Sequence, residues 1–113
     1  MLNYIPIALN GKPVANGKFP LICAPLVGRT SPDILAELNL ILQKQPHMLE
    51  WRVDFFESIA DIAAVISTAK AIKIAAHGVP VLFTRRSKLE GGERITLNED
   101  QVIDLYAAVC ASQ

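Results

Sequence analysis

Neither sign of charge is in excess: 11 lysines and arginines face 11 aspartates and glutamates, leaving no net field to attract nucleic acid or an anionic membrane. Long apolar runs are also missing. Ile62 to Ala69 is the most membrane-like stretch, far short of the ~20 residues that a spanning helix requires, and reads as a core helix. The opening residues have no basic flank, and Pro6 interrupts their apolar segment, so no export signal is expected. Cysteine is scarce. Cys23 and Cys110 have no Cys or His neighbours at metal-ligand spacing, which excludes a zinc motif and a disulfide framework and predicts buried free thiols in a cytoplasmic protein. What is present, 51% hydrophobic residues in short runs broken by charges, describes a globular chain of 113 residues and a single domain.

Turn signals organise the chain. Asn10-Gly11 and Asn16-Gly17 predict a hairpin within residues 1–19. Pro20 to Leu26 is an almost unbroken apolar run of strand length, the pattern of a strand covered on both faces in a parallel sheet. Ser31, Pro32 and Asp33 mark a helix start with Ser31 as the capping hydroxyl, and the helix runs to Lys44 with Ile34, Leu35, Leu38, Ile41 and Leu42 as its buried stripe and Glu37 on the wet side. A second strand spans Met48 to Val53. A second helix starts at Ser58 and ends near Ala76, with Ile62, Val65, Ile66, Ala69, Ile72 and Ala76 facing inward and Gly78 as its stop. Pro80 to Thr84 is a third strand. After a charged glycine loop, Asn98 and Gln101 form a capping box for a third helix that buries Val102, Ile103, Tyr106, Val109 and Cys110. The order is a hairpin, then strand and helix three times: an α/β chain with parallel strands and right-handed crossovers.

Two stretches carry charge where chemistry would need it. On a strand, Glu50-Trp51-Arg52-Val53-Asp54 places Glu50 and Arg52 on one face and Trp51 and Val53 on the other. With helices over Trp51 and Val53, the charged pair faces a barrel interior, where ionised groups persist only when paired with each other or bound to a polar ligand. The second stretch, Phe83 to Gly92, lies at the carboxyl end of the third strand, the end where barrel enzymes keep their active sites. Arg86 there offers a planar fork of donors for a hydroxyl or carboxylate, and Glu90 is placed to orient a neighbouring base. Arg85, adjacent to Arg86 and diverging from it, reads as a solvated charge. His47 and His77 read as structural or exposed, and Lys73 and Lys88 as surface lysines, since neither sits where an amine is desolvated.

Both motifs, Glu-Trp-Arg-Val-Asp at Glu50 to Asp54 and Phe-Thr-x-Arg-Ser-x-x-Glu-Gly-Gly at Phe83 to Gly92, resemble signatures of the type I 3-dehydroquinate dehydratases, as does Ile22 to Gly28 followed by Thr30. The resemblance implies a (β/α)8 TIM barrel, of which this chain has about the first three units, with residues 1–19 as a hairpin cap on the barrel bottom. It implies a lyase of the shikimate pathway of aromatic amino acid biosynthesis. That lyase converts 3-dehydroquinate to 3-dehydroshikimate and water through a lysine Schiff base, without metal or cofactor. By the same resemblance Glu50, Arg52 and Arg86 bind substrate, and Glu90 orients the family's catalytic histidine.

The chain departs from the family as well. A full barrel takes roughly 250 residues. No Ser-x-His-Asp-Phe sequence occurs in the 113 residues, no lysine matches the Schiff-base position, and Ala24 stands where some members carry a hydroxyl. The expected protein therefore binds a small 3-dehydroquinate-like molecule with negligible turnover of its own, and forms a homo-oligomer or joins a missing half-barrel. The alternative is a non-catalytic half-barrel used for binding or assembly. A different Schiff-base barrel enzyme acting through Lys73 or Lys88 fits the motifs less well.

Overall fold

The computed structural model describes residues 7–9, 12–15 and 20–113. The reading of Met1 to Pro6 and the Asn10-Gly11 and Asn16-Gly17 turns fall outside them. Strands β1 (Ile7–Leu9) and β2 (Lys12–Ala15) pair antiparallel as the expected hairpin. The rest alternates: β3 (Cys23–Leu26), α1 (Ser31–Leu42), β4 (Met48–Arg52), α2 (Ile62–Ala75), β5 (Val81–Thr84) and α3 (Glu99–Ala111). The strands β3, β4 and β5 form one parallel sheet in that order, with β4 in the centre.

Strand alternation divides the sheet into two unlike faces. Leu26, Trp51 and Phe83 lie side by side in register, as do Ala24, Leu49 and Val81, and the helices cover this face. Leu26 and Leu49 are fully buried against Ile34 and Leu38 of α1 and Val65 and Ile72 of α2. The other face, with Pro25, Glu50 and Leu82 in register, is open: Pro25 is exposed and Leu82 is 45% exposed. Both β3 and β5 have a neighbour on one side only among the described residues.

Several local expectations need correction. Thr30, not Ser31, caps α1; its hydroxyl accepts the Asp33 N–H, and Ser31 and Pro32 already lie inside the first turn. Helix α2 begins at Ile62, with Asp61 accepting from the Ala64 N–H, because the chain between Phe56 and Asp61 turns to carry Ile59 into the core first. The buried stripe of α2 is Val65, Thr68, Ile72 and Ala76, while Ile62 is 42% exposed. In α3 it is Val102, Leu105 and Val109, with Ile103 and Cys110 outside. Both helices carry apolar residues on two adjacent stripes, and periodicity cannot tell which of them meets the sheet. Cys23 is exposed too, since it sits on the open face of β3. The capping box of Asn98 and Gln101 is formed as expected, whereas the left-handed turn that ends α2 after Ala76 begins at His77, at φ +49, and continues through Gly78 at φ +89.

Candidate functional site

The loops that follow the three parallel strands meet at one end of the sheet and are bonded to one another. After β3, the carbonyl of Arg29 accepts from the Glu57 N–H at 2.9 Å, and the Arg29 guanidinium pairs with Glu93 at 3.2 Å. The turn of this first loop is itself held by Glu37, whose carboxylate accepts the Val27 and Gly28 N–H groups at 2.9–3.1 Å. Glu37 thus has a structural partner rather than only solvent.

At the centre is Asp54, two residues beyond the end of β4 on the short 3-10 turn Val53–Phe55. The Asp54 carboxylate takes Arg52 in a two-point fork, Nε to Oδ1 at 2.9 Å and Nη2 to Oδ2 at 2.7 Å. It also accepts the Arg86 N–H at 3.3 Å and the Glu93 N–H at 3.0 Å. Four donors on one buried carboxylate satisfy the polar accounting that burial demands. Burial by itself would raise the Asp54 pKa; the bonds from Arg52, Glu93 and Arg86 outweigh it and hold this carboxyl below its ordinary range. Arg52 is shifted up, first by its bond to Asp54, with Glu50 and Glu93 adding to the field. Its guanidinium also lies over the Phe55 ring, 5.0 Å from the centroid.

Of the residues singled out from the sequence, Glu50 and Arg52 share the open face of β4 as alternation requires, with Glu50 half-buried and Arg52 buried. Glu50 also contributes, after burial, to an upward shift of the Cys23 thiol on the adjacent strand. Arg86 stands two residues beyond β5, its backbone tied to Asp54 and the residue itself exposed, and Glu90 is exposed on the 3-10 turn Lys88–Glu90. Arg85 is not a solvated charge. Its side chain is 13% exposed and pairs with Glu99 at 3.0 Å, and its backbone N–H donates to the Tyr106 hydroxyl at 2.8 Å. Sequence reasoning passed over Asp54, which lies beyond the end of β4 on the 3-10 turn, where strand alternation no longer assigns a side. Among the described residues no group of three or more His, Cys, Asp or Glu side chains is placed to hold a metal ion, and no helix is long and apolar enough to cross a membrane.

Gly92 closes the loop. Its N–H donates to the Ser87 carbonyl at 2.8 Å, and a Cβ at this position would run into the carbonyl of Arg86. Gly92→Ala should therefore push the two segments apart and cost about 1–3 kcal/mol, the usual range for overpacking. Urea unfolding would measure that loss, and the Glu93 amide should exchange faster with solvent.

Known proteins resemble this chain in sequence and in fold. The family model for type I 3-dehydroquinase matches residues 22–113. The chain is similar to the 3-dehydroquinate dehydratase of Albidiferax ferrireducens, 64% identical over 108 residues that make up 96% of this chain and 41% of that protein. Against the 3-dehydroquinate dehydratase of Aromatoleum aromaticum it is 52% identical over 106 residues, 94% of this chain and 41% of the relative. The crystal structure of 3-dehydroquinate dehydratase from Geobacillus kaustophilus superposes with a TM-score of 0.83 at 46% identity, covering 85% of this chain and 37% of that one. The type I enzyme of Clostridium difficile, solved with covalently modified comenic acid, gives a TM-score of 0.86 at 30% identity over 96% of this chain and 42% of its own. The chain thus spans about two-fifths of the length of the curated relatives it matches.

Proposed function

Since the chain belongs to the type I 3-dehydroquinase family, we propose that it supplies the substrate-gripping part of a site for 3-dehydroquinate. The reading places it in the cytoplasm, in aromatic amino acid biosynthesis. Glu50, Arg52 and Arg86 bind the hydroxylated ring and its carboxylate, and Glu90 orients a histidine contributed by further β/α units. The observation that carries this reading is the burial of Arg52 at the carboxyl end of the parallel sheet, on the face that the helices leave open and beside Glu50. Asp54 offsets that burial with two of the five N–H donors of Arg52; the other three make no bond among the described residues, which favours a polar ligand beside them. The lysine that would form an imine with the substrate ketone, losing water, and the histidine that would move the proton have no counterpart among residues 1–113.

The same reading treats residues 1–113 as one unit, with residues 1–19 closing the bottom of the barrel. In its favour, Pro13 borders the same crevice as Gly78, Pro80 and Val81 at the amino end of β5, opposite the candidate site. Completion by the remaining units, or by a second copy, would cover Leu82 and Pro25 and pair the free sides of β3 and β5. These uncovered surfaces equally favour the second reading, a non-catalytic half-barrel that binds or assembles.

The test mixes the chain with the separately expressed remainder of the Albidiferax ferrireducens relative. Formation of the conjugated enone product is followed by absorbance, with borohydride trapping and intact mass alongside. The chain alone should show negligible turnover and no substrate adduct, and the mixture should dehydrate 3-dehydroquinate. An adduct on a lysine of this chain would refute the assignment of the nucleophile to other units. A soluble, folded monomer by light scattering that neither binds substrate nor complements would refute both readings.

A further inference from the structure

We infer that Asp54 is a positioning residue for ligand binding: it fixes the plane of the Arg52 guanidinium and draws the 86–93 loop over the strand ends, so that Arg52 and Arg86 face one ligand. The inference deepens the proposed function and rests on it where a ligand is concerned, but the loop contacts stand without it.

The argument starts from geometry. An arginine has a long, freely rotating side chain, and a single contact leaves its plane undefined. Here both Nε and Nη2 of Arg52 are taken by the two oxygens of one carboxylate, at 2.9 and 2.7 Å, which fixes position and plane together. The Phe55 ring lies against the same guanidinium, so its direction is set from a second side. Of the five N–H donors on that fork, Asp54 takes two, and the other three make no bond among the described residues.

The carboxylate has further work. Its remaining lone pairs accept the N–H groups of Arg86 and Glu93, seven residues apart in sequence, and so bring both ends of one loop to the end of β4. Gly92 is the residue that lets the loop fold back this closely, since any side chain there meets the Arg86 carbonyl. Arg86 itself is exposed and its side chain makes no hydrogen bond among the described residues; its backbone is what Asp54 anchors. One side chain therefore couples the placement of two proposed ligand-binding arginines that come from different strands. Displacing a polar group by about 1 Å from its working position is enough to cost about 10²-fold in a site of this kind.

The experiment uses the full chain, quinate as the probe, and backbone and arginine side-chain NMR. In Asp54→Asn, the amides of Arg86 and Glu93 should exchange with solvent about tenfold faster while those of α1 are unchanged, and quinate affinity should fall about tenfold or more. In a background carrying both Arg52→Ala and Arg86→Ala, adding Asp54→Asn should change the remaining quinate affinity less than about twofold, because neither arginine that Asp54 places is then present. A residue that merely supported the fold would instead give additive losses, and that result overturns the inference. So would unchanged exchange at Arg86 and Glu93. If Asp54→Asn does not fold, Asp54→Glu keeps the charge and moves it outward by one methylene; wild-type quinate affinity in that variant also overturns the inference. Should the unaltered chain fail to bind quinate, the substrate reading fails alone. Faster exchange at Arg86 and Glu93 would then still support Asp54 as the organiser of the loop, and unchanged exchange would still refute it.

Discussion

Trp51→Ala is expected to abolish the cooperative unfolding transition of this chain. The indole is 1% exposed at the centre of the only strand with neighbours on both sides among the described residues of the parallel sheet. It meets Phe56 and Phe83 edge to face at 5.6 and 5.5 Å, and Phe83 in turn meets Tyr106 of α3 at 4.9 Å. Truncation removes this junction between sheet and helices and should cost about 3–5 kcal/mol. Small domains have about 5–15 kcal/mol in total, and a sheet with one face open belongs at the low end. Circular dichroism against urea is the measurement, since the substitution removes the tryptophan fluorophore. Trp51→Phe is the control. The indole nitrogen makes no hydrogen bond among the described residues, so phenylalanine forfeits volume but no polar contact and should retain a cooperative transition. Equal losses in the two variants would contradict the role given to the aromatic junction.

Arg52→Met should be nearly as damaging at neutral pH, and its effect should depend on acidity. Removing one member of a buried ion pair leaves the other charged and uncompensated, at a cost of about 3–5 kcal/mol. The sign of the pH dependence follows from Asp54. In the native chain its folded pKa lies below the unfolded value, so its stabilising contribution is complete above the ordinary carboxylate range and is lost as pH falls through the folded pKa. Without Arg52, burial acts against only the two backbone N–H donors, and the folded pKa moves up. The variant then takes up a proton more readily, and its deficit should narrow between neutral pH and about pH 4. Urea midpoints of both proteins across that range give the result directly; a constant difference would mean that the Arg52–Asp54 pair is not what the substitution disrupts.

The parallel β/α order and the two faces of β4 were legible because strand alternation has a period of two and Glu50-Trp51-Arg52 obeys it up to the end of the strand. The capping box of α3 was legible for a similar reason: Asn98 and Gln101 satisfy each other's backbone groups locally, whatever the tertiary structure does. What failed depended on the neighbourhood. Ile103 and Leu105 are both apolar positions on α3, and only contact with the sheet selects Leu105 for burial. Thr30 and Ser31 are equivalent capping hydroxyls by type, and the position of the first helical turn decides between them. Cys23 looked buried because its run is apolar on both sides of alternation, yet the face it occupies has no cover in this chain. In the candidate site, the residues matching family motifs were identifiable by type and spacing. The carboxylate that organises them was not, because its importance lies in accepting backbone N–H groups 32 and 39 residues away.

The bonding among the three loops bears on how this scaffold can be engineered. Barrel proteins are attractive hosts for new activities because the segments after their strands are usually exchanged one at a time. Here the Arg29 carbonyl, the Glu57 amide, the Asp54 carboxylate and the Arg86 and Glu93 amides bind each segment to the next. Grafting a foreign sequence over 53–61 would remove an acceptor from one neighbour and a donor from the other, so transplantation on this chain has to move all three segments as a set.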